Sequence, residues 1–250
     1  MKRKIIASIL LFAVVLTAFS GCTKGSAANE NPSSAPQSGN SFSGYIVENT
    51  GKDLLVASKD GLDFVSTESA KIQRDGKELS ALDLKPGMTV KIDFDGTVLE
   101  TYPGQIPNVG SITVTAEEED KISLFKEAFI HIFETRENLG EEKTIALDFS
   151  KITSLSDEQI CALEYVLENY FSSKTKANVI RGSYEELEKN GVIKDNFFPD
   201  GIILSLSEEK GNKFSVSWWK GGTCASGFSD CTAKMKNGEW VINYGDAWIS

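Results

Sequence analysis

The chain has 250 residues, and its 36 acidic and 26 basic side chains give it a formal net charge of -10 at pH 7. Such a charge repels nucleic-acid phosphates and anionic lipid headgroups, which excludes a nucleic-acid-binding protein and a polybasic membrane patch. The length allows one or two domains.

The first 21 residues have the three parts of a secretory signal. Residues 2–4 are basic, residues 5–19 form an almost unbroken apolar run, and the small pair Ser20-Gly21 precedes Cys22. The apolar run is too short for a comfortable membrane span, so it predicts a signal peptide, residues 1–21, that is cut before the cysteine.

This ending resembles the lipobox of bacterial lipoproteins, although Phe19 stands where that family usually has Leu. In the family, the cysteine receives a diacylglyceryl group and becomes the first residue. The resemblance implies acyl chains such as palmitate on Cys22 and a place on the extracytoplasmic face of the cell membrane, because two or more chains anchor a protein well. Residues 22–42 combine this cysteine with a segment rich in Ser, Ala, Asn, Gly and Pro, which predicts a flexible tether.

Residues 43–116 carry short alternating apolar runs divided by turn dipeptides, a pattern typical of a small all-β barrel. Between Met88 and Tyr102 the apolar side chains alternate on both sides of Asp95-Gly96. Because Asp-Gly favours two-residue hairpin turns, the sequence predicts a β-hairpin there.

Two parts of this region resemble the YobA-like domain of Gram-positive secreted proteins and lipoproteins. One is Leu84-Lys85-Pro86-Gly87-Met88-Thr89-Val90, and the other runs from Asp95-Gly96 to Gln105. The family's Glu-Ser-Tyr-Pro-Ala-Gln corresponds to Glu100-Thr101-Tyr102-Pro103-Gly104-Gln105 here. The resemblance implies an OB-like small β-barrel, and the family, which has no assigned function, provides no catalytic residues to transfer.

Residues 117–250 predict an α+β domain in which helices come first and strands follow. Acidic residues 117–120 precede an amphipathic helix, and residues 156–159 fit a capping box that begins a second helix. Period-two strands follow, with a tight turn expected at Asn237-Gly238. The expected fold packs helices on one face of an antiparallel sheet and is reminiscent of cystatin-like sheets. The segment from Gly227 to Ser250 resembles a C-terminal domain of Firmicutes lipoproteins that has no assigned activity.

Trp219 is the strongest candidate for a ligand-binding residue. If the alternate apolar residues of its strand face the core, strand parity turns Trp219 outward beside Ser215 and Ser217. The same alternation places Asp230 and Lys234 on an outer face. A groove floored by Trp219 with Asp230 and Lys234 at its rim would hold a peptide, a glycan or a small ligand. The alternative is that a helix covers this face and makes Trp219 an ordinary core residue.

The cysteines and the only histidine carry weaker signals. Cys224 and Cys231 form either a disulfide across a short loop or two reduced thiols, one of them packed as a small hydrophobe, and Cys161 is unpaired in both cases. His131 lies well off the apolar face of its predicted helix, which places it in solvent. A single imidazole supports neither a serine triad nor a histidine-based zinc site, so no metal or cofactor is expected.

These patterns together predict a lipid-anchored extracytoplasmic lipoprotein that acts as a non-enzymatic binding or interaction module. The lipid anchor would attach it to the membrane. Its ligand would be an envelope protein, a peptide or a glycan. Two alternatives stay open, an envelope hydrolase that uses Asp230 as acid or base and a structural or regulatory lipoprotein that docks on a membrane complex. Because acidic side chains outnumber basic ones in the predicted barrel, its OB-like shape does not indicate single-stranded nucleic acid.

Overall fold

The computed structural model describes residues 39–136 and 142–250. This part of the chain is mostly β, with two sheets and few helices. The predicted signal peptide and the predicted lipidation site at Cys22 lie outside the described residues. Within the described ranges, no helix has the length and apolar character needed to cross a bilayer.

The first sheet has eight strands, ordered β5-β4-β8-β6-β1-β2-β3-β7 along a hydrogen-bonded path with two ends. The pairs β4/β8 and β3/β7 are parallel, and the other neighbours are antiparallel. The strands are β1 (Asn40–Asn49), β2 (Asp53–Ser58), β3 (Gly61–Ser66), β4 (Lys71–Arg74), β5 (Lys77–Glu78), β6 (Met88–Phe94), β7 (Gly104–Ile106) and β8 (Val109–Glu117).

Strand β1 begins inside the segment that the sequence predicts to be a tether. Its residues 40–42 pair with the end of β6, and the rings of Phe42 and Phe94 meet edge to face with centroids 5.8 Å apart. The first strand therefore begins three residues before residue 43, where the sequence predicts the barrel to start. The single aromatic residue at position 42 was too weak a signal against its Ser-rich surroundings.

The hairpin predicted across Asp95-Gly96 does not form. Both edges of β6 are already occupied, by β1 and β8, so no edge is free for the chain that follows. The Asp95 carboxylate instead accepts hydrogen bonds from the backbone of Thr97 and from the side chain of Asn108, both at 2.8 Å, and closes a local turn. The chain then leaves the sheet, and Tyr102 is 71 % exposed.

Strands β1 and β2 are buried on both faces, which explains their continuous apolar runs. One face packs into the interior of the first sheet with Ile46, Leu54 and Val56. The opposite face, with Tyr45 and Leu55 among its residues, belongs to a second core that includes helices and the second sheet.

The second sheet has the order β10-β9-β11-β12-β13-β14, and β15 also pairs with β13. Its strands are β9 (Thr144–Lys151), β10 (Asn178–Arg181), β11 (Gly201–Glu209), β12 (Lys213–Gly221), β13 (Cys224–Lys236), β14 (Glu239–Asn243) and β15 (Asp246–Ile249). Because β10, β9 and β11 are mutually parallel neighbours, the expected wholly antiparallel sheet is wrong. Parallel neighbours need crossover connections, and helices supply them here.

Three helices are described, α1 (Lys121–Glu134), α2 (Asp157–Lys174) and α3 (Tyr184–Lys189). The capping box predicted at residues 156–159 is present, with Ser156 and Gln159 each accepting from the backbone of the other. Helices α1 and α2 share one core with the second sheet and with the outward face of β1 and β2. Helix α3 packs on the opposite face of the second sheet, so the expectation of helices on one face only is also wrong.

The carboxylate of Glu208 links α1 and the segment before α2 to the second sheet. Glu208 near the end of β11 accepts from the Lys121 ammonium at 2.7 Å and from the backbone N–H groups of Thr153 and Ser154 at 2.9 and 2.8 Å. Burial alone would raise the pKa of Glu208, but these hydrogen bonds outweigh it and lower the pKa to about 2.

Candidate functional site

The outer face of the second sheet, opposite α1 and α2, is covered over only part of its area. Helix α3 and the segment after it bury a small apolar cluster against β9 and β11. Trp219 lies at the edge of this cluster, half-buried, and its ring meets Tyr184 of α3 edge to face with centroids 5.0 Å apart. The buried members of the cluster are Ala146, Leu187, Ile193, Phe198 and Ile203.

Beyond Trp219 the outer face is open and is formed by four serines, which we call the serine floor. Ser205 lies directly opposite Ser217, and Ser207 directly opposite Ser215, across β11 and β12. All four are half-exposed, while the alternate residues Phe214, Val216 and Trp218 are buried in the core. Trp219 thus turns outward beside Ser215 and Ser217, as strand parity predicts.

The serine floor lies at the bottom of a groove of about 290 Å³. Short hydroxymethyl side chains form its base, and large side chains stand around it. The rim is made by Trp219 and Tyr184 at one end, Trp248 on β15, and the ionisable residues Asp148, Lys151 and Glu185. The concavity therefore comes from side-chain size on a continuous sheet, not from a gap between elements.

One row of side chains crosses five strands of this face in register. Asp148 on β9 pairs with Ser205, Ser205 with Ser217, Ser217 with Gly227 on β13, and Gly227 with Trp248 on β15. Since paired residues point to the same side of a sheet, the row places a carboxylate, two hydroxyls and an indole side by side.

Gly227 makes room for the indole at the end of this row. A Cβ atom built on Gly227 would lie 2.7 Å from Cζ2 of Trp248, 2.8 Å from Cβ of Ser217 and 2.6 Å from the carbonyl oxygen of Val216. Because all three distances are shorter than a carbon contact tolerates, only glycine lets Trp248 lie against β13 here.

The groups at the rim are held by hydrogen bonds. Oδ1 of Asp148 accepts from the backbone of Ser150 at 2.9 Å, and Oδ2 lies 3.4 Å from the Ser205 hydroxyl. The phenolic oxygen of Tyr184 lies 3.1 Å from Oε1 of Glu188 and 3.2 Å from Oδ1 of Asn196. Desolvation, followed by the hydrogen bond to Glu188, raises the pKa of Tyr184 above its ordinary value.

Comparison of the chain with protein-family models, curated proteins and solved structures finds no match.

Asp230 and Lys234 do not belong to this groove, which corrects the rim predicted for Trp219. Val216 pairs with Phe228 and Phe214 with Cys231, so β13 carries an extra residue and bulges at this point. Asp230 lies in the bulge, exposed, with φ of +54°. The bulge breaks the alternation on which the prediction depended.

Lys234 lies far from Trp219 along the sheet. Trp219 pairs with Ala225, whereas Lys234 lies nine residues further along β13 and pairs with Val241 of β14. Lys234 is exposed at that end. Of the three predicted ligand-binding residues, the structure therefore places only Trp219 in the groove.

The disulfide alternative for Cys224 and Cys231 is wrong. Both thiols are free, and they lie seven residues apart on the single strand β13. At about 3.3 Å per residue this separates their Cα atoms by roughly 20 Å, whereas a disulfide needs about 7 Å or less. Cys231 is buried as a small hydrophobe, and Cys161 is free and exposed.

His131 is half-buried where the sequence predicted full exposure, because the segment after β14 packs against its helix. The imidazole stacks on Tyr244 with ring centroids 3.6 Å apart and an interplanar angle of 16°, and Phe228 lies 5.3 Å away. Desolvation lowers its pKa, which suits a packing role for the neutral ring. Among residues 39–136 and 142–250, no three His, Cys, Asp or Glu side chains converge as a metal site requires.

A larger groove of about 830 Å³ lies near Trp240, and acidic residues dominate it. Several of its carboxylates already have structural partners. Glu117 pairs with Arg74 at 2.7 Å, and Asp120 caps α1 by accepting from Ser123 at 3.1 Å. The serine floor is the better candidate site because, although Ser205 lies at hydrogen-bond distance from Asp148, its other three hydroxyls have no hydrogen-bond partner within the described residues.

Proposed function

We propose that the protein is a non-enzymatic binding module whose ligand lies on the serine floor, and that it works as a lipoprotein at the extracytoplasmic face of the cell membrane. The observation that carries the proposal is the open half of the outer sheet face. There, short polar side chains form a concave base between aromatic side chains.

The composition of the floor is poorly explained by sheet stability. Serine is not among the β-branched and aromatic residues that favour strands, and long polar side chains would cover a solvated face better. Within the described part of the chain, the hydroxyls of Ser207, Ser215 and Ser217 form no protein hydrogen bond, so each is available to a ligand. Hydroxyls presented in a shallow concavity with aromatic rings are typical of binding sites.

The hydrolase alternative loses its main support. Asp230, its proposed acid or base, is exposed in a strand bulge outside the groove. The carboxylate that does line the groove, Asp148, already accepts a backbone hydrogen bond, which suits a group that orients a ligand. The proposal therefore assigns binding and no chemistry to this face.

The proposed location depends on the N-terminal sequence. The signal-like segment ends in Ser20-Gly21-Cys22, and acylation of that cysteine would attach the protein to the membrane. Seventeen residues of linker-like composition separate Cys22 from β1. For the first sheet we propose kinship with the YobA-like domain and its OB-like barrel, on the residue pattern from Leu84 to Gln105.

The location is tested by changing the proposed lipid site. Full-length protein is produced in a Gram-positive host, and the cells are fractionated. The wild type is expected in the membrane fraction, with a mass increase on its N-terminal cysteine peptide, and Cys22→Ser in soluble fractions. A wild-type protein with an unmodified Cys22 thiol, or a wild type recovered from the cytosol, would contradict the proposed anchor.

The binding surface is tested by filling it. Ser217→Arg places a long charged side chain at the centre of the floor, where it blocks the groove, whereas Ser43→Arg makes the same change at an exposed position of β1. Envelope material is passed over the immobilised full chain, and the bound mass is measured. Wild type and Ser43→Arg should retain material and Ser217→Arg should not. Equal retention by all three would refute this surface as the site.

A further inference from the structure

We infer that the ligand of the serine floor is a saccharide. The inference rests on the proposed function, since it names the chemical class bound at that same surface. Three observations narrow the class: the state of the backbone under the floor, the charges at its rim and the position of the aromatic rings.

The backbone under the floor is not free to recognise a peptide. The floor lies on β11 and β12, which are interior strands of the second sheet with partners on both sides. Their N–H and C=O groups are used in the ladders, so an extended peptide cannot add as a further strand here. What the surface offers is a set of side-chain hydroxyls, with two carboxylates, one lysine and aromatic rings at its rim.

The charges at the rim disfavour an anionic ligand. The rim carries two carboxylates, Asp148 and Glu185, and one cation, Lys151, and the whole chain carries a formal charge of -10. A phosphate-bearing ligand would meet repulsion with only one lysine to offset it. An acyl chain would meet hydroxyls where it needs an apolar base, because covering unpaired hydroxyls with hydrocarbon is costly.

A sugar ring matches both kinds of surface present. Its hydroxyls can donate to Asp148 and exchange hydrogen bonds with the serines, which act both as donors and as acceptors. Its apolar C–H face can pack on an aromatic ring, which contributes a large contact area at low cost in side-chain entropy. The groove presents these two surfaces side by side, with the indoles of Trp219 and Trp248 next to the hydroxyls.

The spacing of the two indoles suggests a chain of sugars. Trp219 is on β12 and Trp248 on β15, with β13 between them. Two strand spacings and an offset of two residues along the strands separate them by about 12 Å at the level of the backbone. The serine pair Ser205 and Ser217 lies beside this interval, so neighbouring units of one oligosaccharide can contact an indole and the floor together.

The test uses envelope material in two forms, the complete fraction and the same fraction after exhaustive protease digestion and solvent extraction, which leaves carbohydrate. Binding of both to the full chain is measured by biolayer interferometry. The wild type should bind both forms, and Ser217→Arg should bind neither. Trp219→Ala and Trp248→Ala should each raise the apparent Kd about tenfold or more, as expected for aromatic anchor residues. Because Trp248 is 39 % exposed, we expect Trp248→Ala to remain folded even if Trp219→Ala does not.

The outcomes separate the two proposals. Wild-type binding to the complete fraction that Ser217→Arg abolishes, with none to the carbohydrate fraction, would overturn the saccharide inference and leave the binding surface intact. Binding that Ser217→Arg does not reduce, or no binding to either fraction, would overturn the proposed function and the inference with it. Ser43→Arg, which should match the wild type throughout, controls for the added charge.

Discussion

The two faces of strand β12 differ in burial and in side-chain type, although both belong to one hydrogen-bonded strand. The face toward the helices carries Phe214, Val216 and Trp218, all buried, and Phe214 meets Phe125 of α1 edge to face at 6.4 Å. The other face carries Ser215, Ser217 and Trp219, which are half-exposed. The comparison shows that alternate residues of one strand can be devoted to folding and to recognition, so the two properties are separable by substitution.

The largest effect is expected on the helix-facing side. Phe214→Ala removes a fully buried ring and leaves a cavity, so we expect a loss of about 3–5 kcal/mol in the free energy of unfolding. Chemical denaturation followed by tryptophan fluorescence measures it. A loss below about 1 kcal/mol would mean that this face is not the core of the second sheet.

A smaller loss in the free energy of unfolding is expected at Glu208, which links α1 to the second sheet. Glu208→Gln keeps the shape of the side chain but removes the charge that Lys121 and the backbone groups stabilise, which should cost about 2 kcal/mol at pH 7. Because the pKa in the folded state is about 2 and lies below the unfolded value, this stabilisation is complete above about pH 5 and is lost as the pH falls toward 2. Unfolding curves of wild type and variant should therefore converge at acidic pH. A constant difference between them would contradict the depressed pKa.

Trp219 is expected to contribute both to stability and to ligand binding. Trp219→Ala removes the contact with Tyr184 but leaves the cluster under α3 in place, so we expect a loss of about 1 kcal/mol, together with the loss of ligand binding. Thermal unfolding and the binding assay are measured on the same preparation. A loss of several kcal/mol would identify Trp219 as a core residue and favour the alternative interpretation of the sequence.

The smallest effect on stability is expected at the floor itself. Ser215→Ala deletes one hydroxyl that has no protein partner in the described structure, so the free energy of unfolding should change by less than about 0.5 kcal/mol. Binding should weaken severalfold because one hydrogen bond to the ligand is lost. Unchanged binding would remove Ser215 from the site and shift it toward Trp219.

Local signals were the part of the structure that the sequence predicted. The alternation from Phe214 to Trp219 identified the inward and outward sides of β12, and the capping box at Ser156 identified the start of α2. Both depend on residues close in sequence. The outward position of Ser215 and Ser217 was also predicted, whereas Ser205 and Ser207 on the neighbouring strand were not predicted as part of a site.

What failed depended on distant partners. The predicted hairpin after β6 could not form because β1 and β8 occupy both edges of β6. The predicted position of Asp230 at the rim was wrong because β13 contains a bulge that no sequence pattern indicated. Tyr184 and Trp248 reach the groove from a short helix and a late strand. No spacing rule links them to Trp219, because Trp248 is brought near by the order of the strands and Tyr184 by the packing of α3 on the sheet.

The layer of helices between the two sheets has a practical consequence for anyone who wishes to produce the halves separately. The outward face of β1 and β2, with Leu55 only 1 % exposed, is covered by the same core that includes α1, α2 and the second sheet. Dividing the gene after residue 116 would expose the apolar outward face of β1 and β2 on one fragment and apolar side chains of α1 and α2 on the other. We expect both fragments to precipitate when expressed alone, and co-expression to rescue their solubility.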